Sequence, residues 1–188
     1  TYTKSRTDGE KESFTETYSF VDGKLKTTTR KYGTAHRPTT TTYSYHNDGK
    51  LAKVLVEKPR KSSLNGQIME DIYVTETDYT HTGNVITATE KRYFKDTQGN
   101  KRDENTSLTT YTFENENLIK KTENSTEYNS TTEYTYDGKN NPLFQNFKKL
   151  MDPDYFNDAK NSKNNILTRK ITTKYNYNNS TIVKEYVY

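Results

Sequence analysis

The sequence predicts an all-β fold: an antiparallel meander of about 10 to 12 strands, as a curved sheet, half-barrel or sandwich, with one short helical insertion. Three observations carry that prediction. An aromatic pair at i and i+2, followed by a turn and an apolar return, recurs six times. Apolar and polar side chains alternate with a period of two around the pairs, as in Phe14, Tyr18 and Phe20. The 17 Tyr and 33 Thr among 188 residues favour half-buried strands over helix or coil.

The six pairs are Tyr18-Ser19-Phe20, Tyr43-Ser44-Tyr45, Tyr79-Thr80-His81, Tyr111-Thr112-Phe113, Tyr134-Thr135-Tyr136 and Tyr175-Asn176-Tyr177. His81 replaces an aromatic in the third. The turns that follow are Asp22-Gly23, Asn47-Asp48-Gly49, Thr82-Gly83-Asn84, Asn115-Glu116-Asn117, Asp137-Gly138 and Asn178-Asn179, rich in residues that tolerate positive φ. Returning strands open with Lys24-Leu25, Lys50-Leu51, Val85-Ile86, Leu118-Ile119, Ile166-Leu167 and Ile182-Val183. Units starting at residues 18, 43, 79, 111, 134 and 175 are spaced too irregularly for a strict solenoid. The hairpin is constant and the connection varies, so residues 1–188 read as one hairpin-repeat domain. The Thr-rich faces are where strands meet water.

The insertion occupies residues 140–165. Asn141-Pro142 offers an N-cap followed by Pro at the first helical position. Leu143, Phe144, Phe147, Leu150 and Met151 then form an amphipathic stripe, predicting a helix near residues 142–157. Asp152-Pro153-Asp154 ends it. Such a helix is expected to pack on the sheet as a core plug.

Composition narrows the remaining classes. Leu, Ile, Val and Phe total 30 residues, so the core is thin, yet a net charge of +4 is too small to favour disorder. No apolar run approaches the length of a membrane-spanning helix. The absence of Cys excludes disulfides and Cys zinc sites. Charges of both signs are interspersed, and the largest basic clusters, Lys58-Pro59-Arg60-Lys61 and Arg169-Lys170, describe a solvated surface rather than a nucleic-acid patch. The chain begins Thr1-Tyr2-Thr3 without Met or an apolar leader and reads as a mature or trimmed fragment.

At Tyr43-Ser44-Tyr45-His46-Asn47-Asp48-Gly49-Lys50-Leu51 the chain resembles the YD-type repeat lipoproteins of Bacteroidota, whose motif has the form Tyr-x-Tyr-Asp-x-x-Gly-Lys-Leu. The stretch from Tyr134 through Asp137, Asn141, Pro142 and Phe144, with Asn164-Asn165-Ile166 after the insertion, is similar to a C-terminal signature of those proteins, with Leu143 intervening before the Phe. The resemblance implies a secreted chain with a lipid-bearing Cys upstream of Thr1. It implies the extracellular face of the outer membrane, reached only through that anchor.

Catalytic chemistry finds little purchase. His36, His46 and His81 stand apart from any nucleophile arrangement or metal-ligand spacing. Asp152-Pro153-Asp154 and Asp158 lack the calcium-loop pattern, and Asp96-Thr97-Gln98-Gly99-Asn100 reads as a hairpin turn. The expectation is therefore a protein that is not an enzyme and has no catalytic, metal or cofactor residues. The repeat residues Tyr18, Phe20, Tyr43, Tyr45, Tyr79, Tyr111, Phe113, Tyr134, Tyr136, Tyr175 and Tyr177 read as structural, through cross-strand aromatic pairs. Ile182 to Tyr188 reads as an apolar edge strand. Candidate partner-docking residues are Leu143, Phe144, Phe147, Tyr155, Phe156, Tyr186 and Tyr188. The expected function is an accessory or scaffold subunit of an outer-membrane protein complex, such as an importer, secretion system or assembly machine. The alternative is a carbohydrate-binding or adhesin module that stacks glycans on exposed Tyr.

Overall fold

A computed structural model describes residues 2–8, 12–32, 37–64, 67–142, 144, 156, 159–178 and 180–188. The fold is the expected all-β meander. Its strands are β1 (Tyr2–Asp8), β2 (Glu12–Val21), β3 (Lys24–Tyr32), β4 (Thr39–Tyr45), β5 (Leu51–Leu64) and β6 (Gln67–Thr82). They continue with β7 (Val85–Lys95), β8 (Lys101–Glu114), β9 (Asn117–Asn124), β10 (Tyr128–Asn140), β11 (Asn164–Tyr175) and β12 (Thr181–Val187). All twelve belong to one sheet whose strand order is the chain order. The chain divides into two compact units, Thr1–Asp78 with Lys91–Asn105, and Tyr79–Glu90 with Thr106–Tyr188.

The returning strands begin where the apolar pairs place them, and the hairpins share a device that the period-two pattern does not reveal. Pairing slips at Ser19/Phe20, Ser44/Tyr45, Thr112/Phe113 and Thr135/Tyr136, each time immediately before the second aromatic. The extra residue lies on the returning strand: Lys26, Ala52, Ile119 and Leu167 each go without a register partner. Such a bulge moves the flanking residues relative to the pleat. It sets Phe20 opposite Leu25, Tyr45 opposite Leu51, Phe113 opposite Leu118 and Tyr136 opposite Ile166. A bulge therefore accompanies the return at all four of these hairpins, whatever the length of the connection. The turns at Asp22-Gly23 and Asn115-Glu116 have positive φ at both residues, as tight two-residue hairpins require.

Successive hairpins are tied by tyrosine hydroxyls. Tyr45 Oη donates to the carbonyl oxygen of Leu25 at 2.7 Å, and Tyr136 Oη donates to that of Leu118 at 2.6 Å. In both cases the second aromatic of one hairpin grips the Leu that opens the returning strand of the hairpin before it. Leu25 and Leu118 are buried beneath these contacts.

In the first unit, cations compensate for the thin aliphatic core. The guanidinium of Arg30 lies 4.9 Å from the Phe14 ring, and those of Arg60 and Arg102 lie 5.2 and 4.8 Å from Phe94. Arg102 also donates at 2.6 Å to Asp71, a buried carboxylate. Lys53 pairs with Glu76, which also accepts from Tyr93 Oη at 3.3 Å, while Lys101 sits 4.2 Å from the Tyr93 ring. Long basic side chains laid over rings cover apolar surface that a second layer would otherwise have to cover.

Two local expectations need correction. Asp137-Gly138 is not a hairpin turn but lies inside β10, where the register to β11 is irregular between Tyr136 and Asn140. The chain cannot turn there because it leaves for the insertion, and Asp137 instead anchors the return. Its carboxylate accepts from the Lys139 and Asn165 backbone N–H groups at 3.0 and 3.2 Å. Tyr177, placed on a strand by the repeat, lies in the β11–β12 turn and is 78% exposed. Most of the helix expected over 142–157 falls outside the described residues, as do Leu143, Phe147, Leu150, Met151, Asp152, Pro153, Asp154, Tyr155 and Asp158. After it comes a 3-10 turn at Ala159–Asn161.

Candidate functional site

Two places in the second unit gather the residues that could carry function: the seat of the insertion and the β11–β12 edge. At the seat, Phe156 is buried with its ring edge-on to Tyr79 and Tyr111, at centroid distances of 5.4 and 5.6 Å, and to His81 at 6.3 Å. The aromatic and His positions of two repeat units thus form a cage for one residue of the insertion. Edge-to-face packing of this kind adds about 0.5–1.5 kcal/mol per pair beyond the area buried.

A polar network fastens the seat from the other side. Ser162 Oγ accepts the Leu118 N–H at 3.0 Å and lies 2.9 Å from Tyr136 Oη. Asn117 and Asn164 exchange two bonds: Asn117 Nδ2 donates to Asn164 Oδ1 at 2.9 Å, and Asn164 N donates to Asn117 Oδ1 at 2.8 Å. Asn141 Nδ2 donates to the Lys160 and Ser162 carbonyls at 2.6 and 2.9 Å. Asn117 and Ser162 are buried, and satisfied polar groups at such depth fix one arrangement of the chain. Asp137 loses solvation here, which opposes its charge. The N–H groups of Lys139 and Asn165 outweigh that and hold it below the ordinary carboxylate range. These residues assemble a structural joint. Phe156, one of the candidate docking residues, is spent inside it, and Phe144 is half-buried, its N–H donating to the Asn141 carbonyl at 3.2 Å.

The β11–β12 edge is the opposite kind of place. Pairing runs from Thr168↔Val187 to Lys174↔Thr181, and residues directly opposite share a face. On one face Tyr186 lies opposite Arg169, Lys184 opposite Ile171 and Ile182 opposite Thr173. On the other, Val187, Glu185 and Val183 oppose Thr168, Lys170 and Thr172. Every residue of β12 is exposed: Ile182 44%, Val183 53% and Val187 85%. Leu167, Tyr186 and Tyr188 extend the exposed apolar surface. Arg169 lies 5.8 Å from the Tyr186 ring, with its Nε buried and lacking a hydrogen-bond partner among the described residues. Lys170 and Glu185 form an ion pair at 3.1 Å, too exposed to contribute much.

The backbone of β12 is half engaged. Tyr188 N–H donates to the Leu167 carbonyl at 3.0 Å and the Ser180 carbonyl accepts from Tyr175 N–H at 2.9 Å, so even-numbered residues turn their polar groups towards β11. Thr181, Val183, Glu185 and Val187 turn theirs outward, and among the described residues β12 has no other neighbour in the sheet. Among the described candidate docking residues, Tyr186 and Tyr188 belong to this surface. Ile182, Val183, Lys184 and Val187 were legible as part of an apolar edge strand, and Leu167 only as part of a returning strand.

Elsewhere the titratable groups are dispersed. Among the described residues no three His, Cys, Asp or Glu side chains converge on a metal-sized site, and no helix is long and apolar enough to cross a membrane. His36 lies outside the described residues, and His46 is in the β4–β5 turn. Asp96 shapes the β7–β8 turn, accepting from Gln98 N and Asn100 N at 2.9 and 2.8 Å. Compared with known proteins, the chain matches no family model, and no curated protein or solved structure shows significant similarity to it.

Proposed function

We propose that this chain is a non-enzymatic accessory or scaffold subunit of an outer-membrane protein complex, such as an importer, secretion system or assembly machine, held at the outer face by a lipid anchor upstream of Thr1. The observation that carries the reading is β12: exposed over its whole length, with apolar residues on both faces and, among the described residues, hydrogen-bonded on one side only. An edge of this kind is a template for another strand and a hazard until it is covered. A docked partner covers it. The membrane setting is supplied by the resemblance to YD-type repeat lipoproteins.

Purification of the chain from its native outer membrane in mild detergent, with mass spectrometry of what co-elutes, tests the reading. A large barrel protein at near-equal amount is the expected result, and recovery of the chain alone would count against it. Carbohydrate binding is the competing reading. The neighbouring rings of Tyr128, Tyr175 and Tyr177 tilt by 56° and 58° and offer no flat platform for a sugar face. A glycan array is therefore expected to stay blank.

A further inference from the structure

We infer that the open edge of β12 takes up, by strand addition, an extended segment of a partner protein that carries a carboxylate opposite Lys184 between Thr and β-branched residues. The inference deepens the docking reading and rests on it for the existence of a partner, but it makes its own claim about the partner's chemistry.

At several strand pairs of the meander cations face acids across the ladder. Lys53 lies opposite Asp78, Arg60 opposite Asp71, Lys61 opposite Glu70, Lys120 opposite Glu133 and Lys170 opposite Glu185. Thr faces Thr in the same way, at Thr27↔Thr42, Thr28↔Thr41 and Thr29↔Thr40. Opposite charges directly across a ladder stabilise it and like charges destabilise it. Lys184 is the one cation of β12, it lies opposite Ile171, and among the described residues it has no carboxylate partner. On its outward side, where the N–H and C=O groups of Thr181, Val183, Glu185 and Val187 point, no strand pairs with β12 among the described residues.

The alternation fixes where the acid must sit. An antiparallel strand would form its hydrogen-bonded pairs with the outward residues, leaving Ile182, Lys184 and Tyr186 in the non-hydrogen-bonded pairs, where side chains approach most closely. Lys184 thus meets its partner at short range, flanked by Ile182 and Tyr186 on the same face. The flanks select apolar or Thr side chains and the centre selects a carboxylate.

A second copy of the chain fits poorly. Two-fold antiparallel pairing of β12 along its full length brings Lys184 against Lys184 or Glu185 against Glu185. Lys184 therefore discriminates twice, repelling the copy and attracting an acidic strand.

The test uses the full chain and two immobilised synthetic peptides of alternating Thr and Val, one with a central Glu and one with a central Lys. The native chain is expected to bind the Glu peptide about tenfold more tightly than the Lys peptide, and Lys184→Glu to reverse the preference. Val183→Pro removes an outward N–H without touching the β11 ladder, and is expected to abolish binding of both peptides while the melting temperature stays near that of the native chain. Equal affinity for the two peptides, a preference unchanged by Lys184→Glu, or a stable dimer in sedimentation that Lys184→Glu leaves intact would each overturn the inference. Peptide selectivity without a partner in the membrane purification would refute the membrane-complex reading and leave strand addition standing. The reverse pattern would refute strand addition through Lys184 alone.

Discussion

Leu118 and Ile182 hold the same place in the repeat, at the start of a returning strand, and have opposite fates. Leu118 is 1% exposed and Ile182 is 44% exposed. Both follow an aromatic pair and an Asn-rich turn, so local sequence does not separate them. The difference is what comes next. Over Leu118 lies the second aromatic of the following hairpin, Tyr136, whose hydroxyl holds the Leu118 carbonyl, together with Ser162 from the base of the insertion. Over Leu25 lies Tyr45 in the same relation. No following hairpin lies beyond Ile182 among the described residues. In this meander burial is conferred by the next unit.

The largest expected effects fall where the next unit is present. Leu118→Ala removes a fully buried side chain and should cost about 3 kcal/mol or more of unfolding free energy in urea titration, whereas Val187→Ala should change it by no more than about 0.5 kcal/mol. Equal effects at the two positions would break the comparison. Phe156→Ala empties the cage of Tyr79, His81 and Tyr111 and should cost about 3 kcal/mol. Tyr136→Phe isolates the hydroxyl: it keeps the ring but strips a bond from Leu118 O and a partner from Ser162, for about 1–2 kcal/mol. Tyr186→Phe on the edge should be close to neutral in the same titration.

The smallest effect is on pH dependence. The hydrogen bond from Lys53 holds the Glu76 carboxyl below its ordinary value of 4.5, against a burial that would raise it. A carboxyl depressed in the fold contributes stability that is present above its unfolded value and is lost as pH falls through the folded one. Denaturation midpoints should therefore decline as pH drops below about 4.5, and Glu76→Gln should flatten that decline.

Most of the sheet was legible because the signal that builds it is repeated: aromatic pair, turn, apolar return. The bulges were invisible to a period-two reading, which counts alternation and does not register one added residue such as Ala52 or Ile119. Asp137-Gly138 misled because the dipeptide favours a turn, and only the insertion's return through Asn165 shows that its carboxylate serves another purpose. The joint itself was illegible. Asn117, Asn141 and Asn164 look like loop residues, and their partners are far along the chain, 47 residues apart for Asn117 and Asn164. Strand β1 carries no aromatic pair and gave no repeat signal. At the edge, the apolar run from Ile182 was readable, but the importance of Lys184 emerged only when the charge pairing of the inner strands was on view.

Amide hydrogen exchange, resolved residue by residue along β12, tests the central claim most directly. In the free chain the amides of Ile182, Lys184, Tyr186 and Tyr188, which face β11, should be protected, and those of Thr181, Val183, Glu185 and Val187 should exchange rapidly. Addition of the Glu-bearing peptide should slow the second set and leave the first unchanged. Uniform protection of all eight amides in the free chain, or no change on adding the peptide, would contradict an open edge completed by a partner strand.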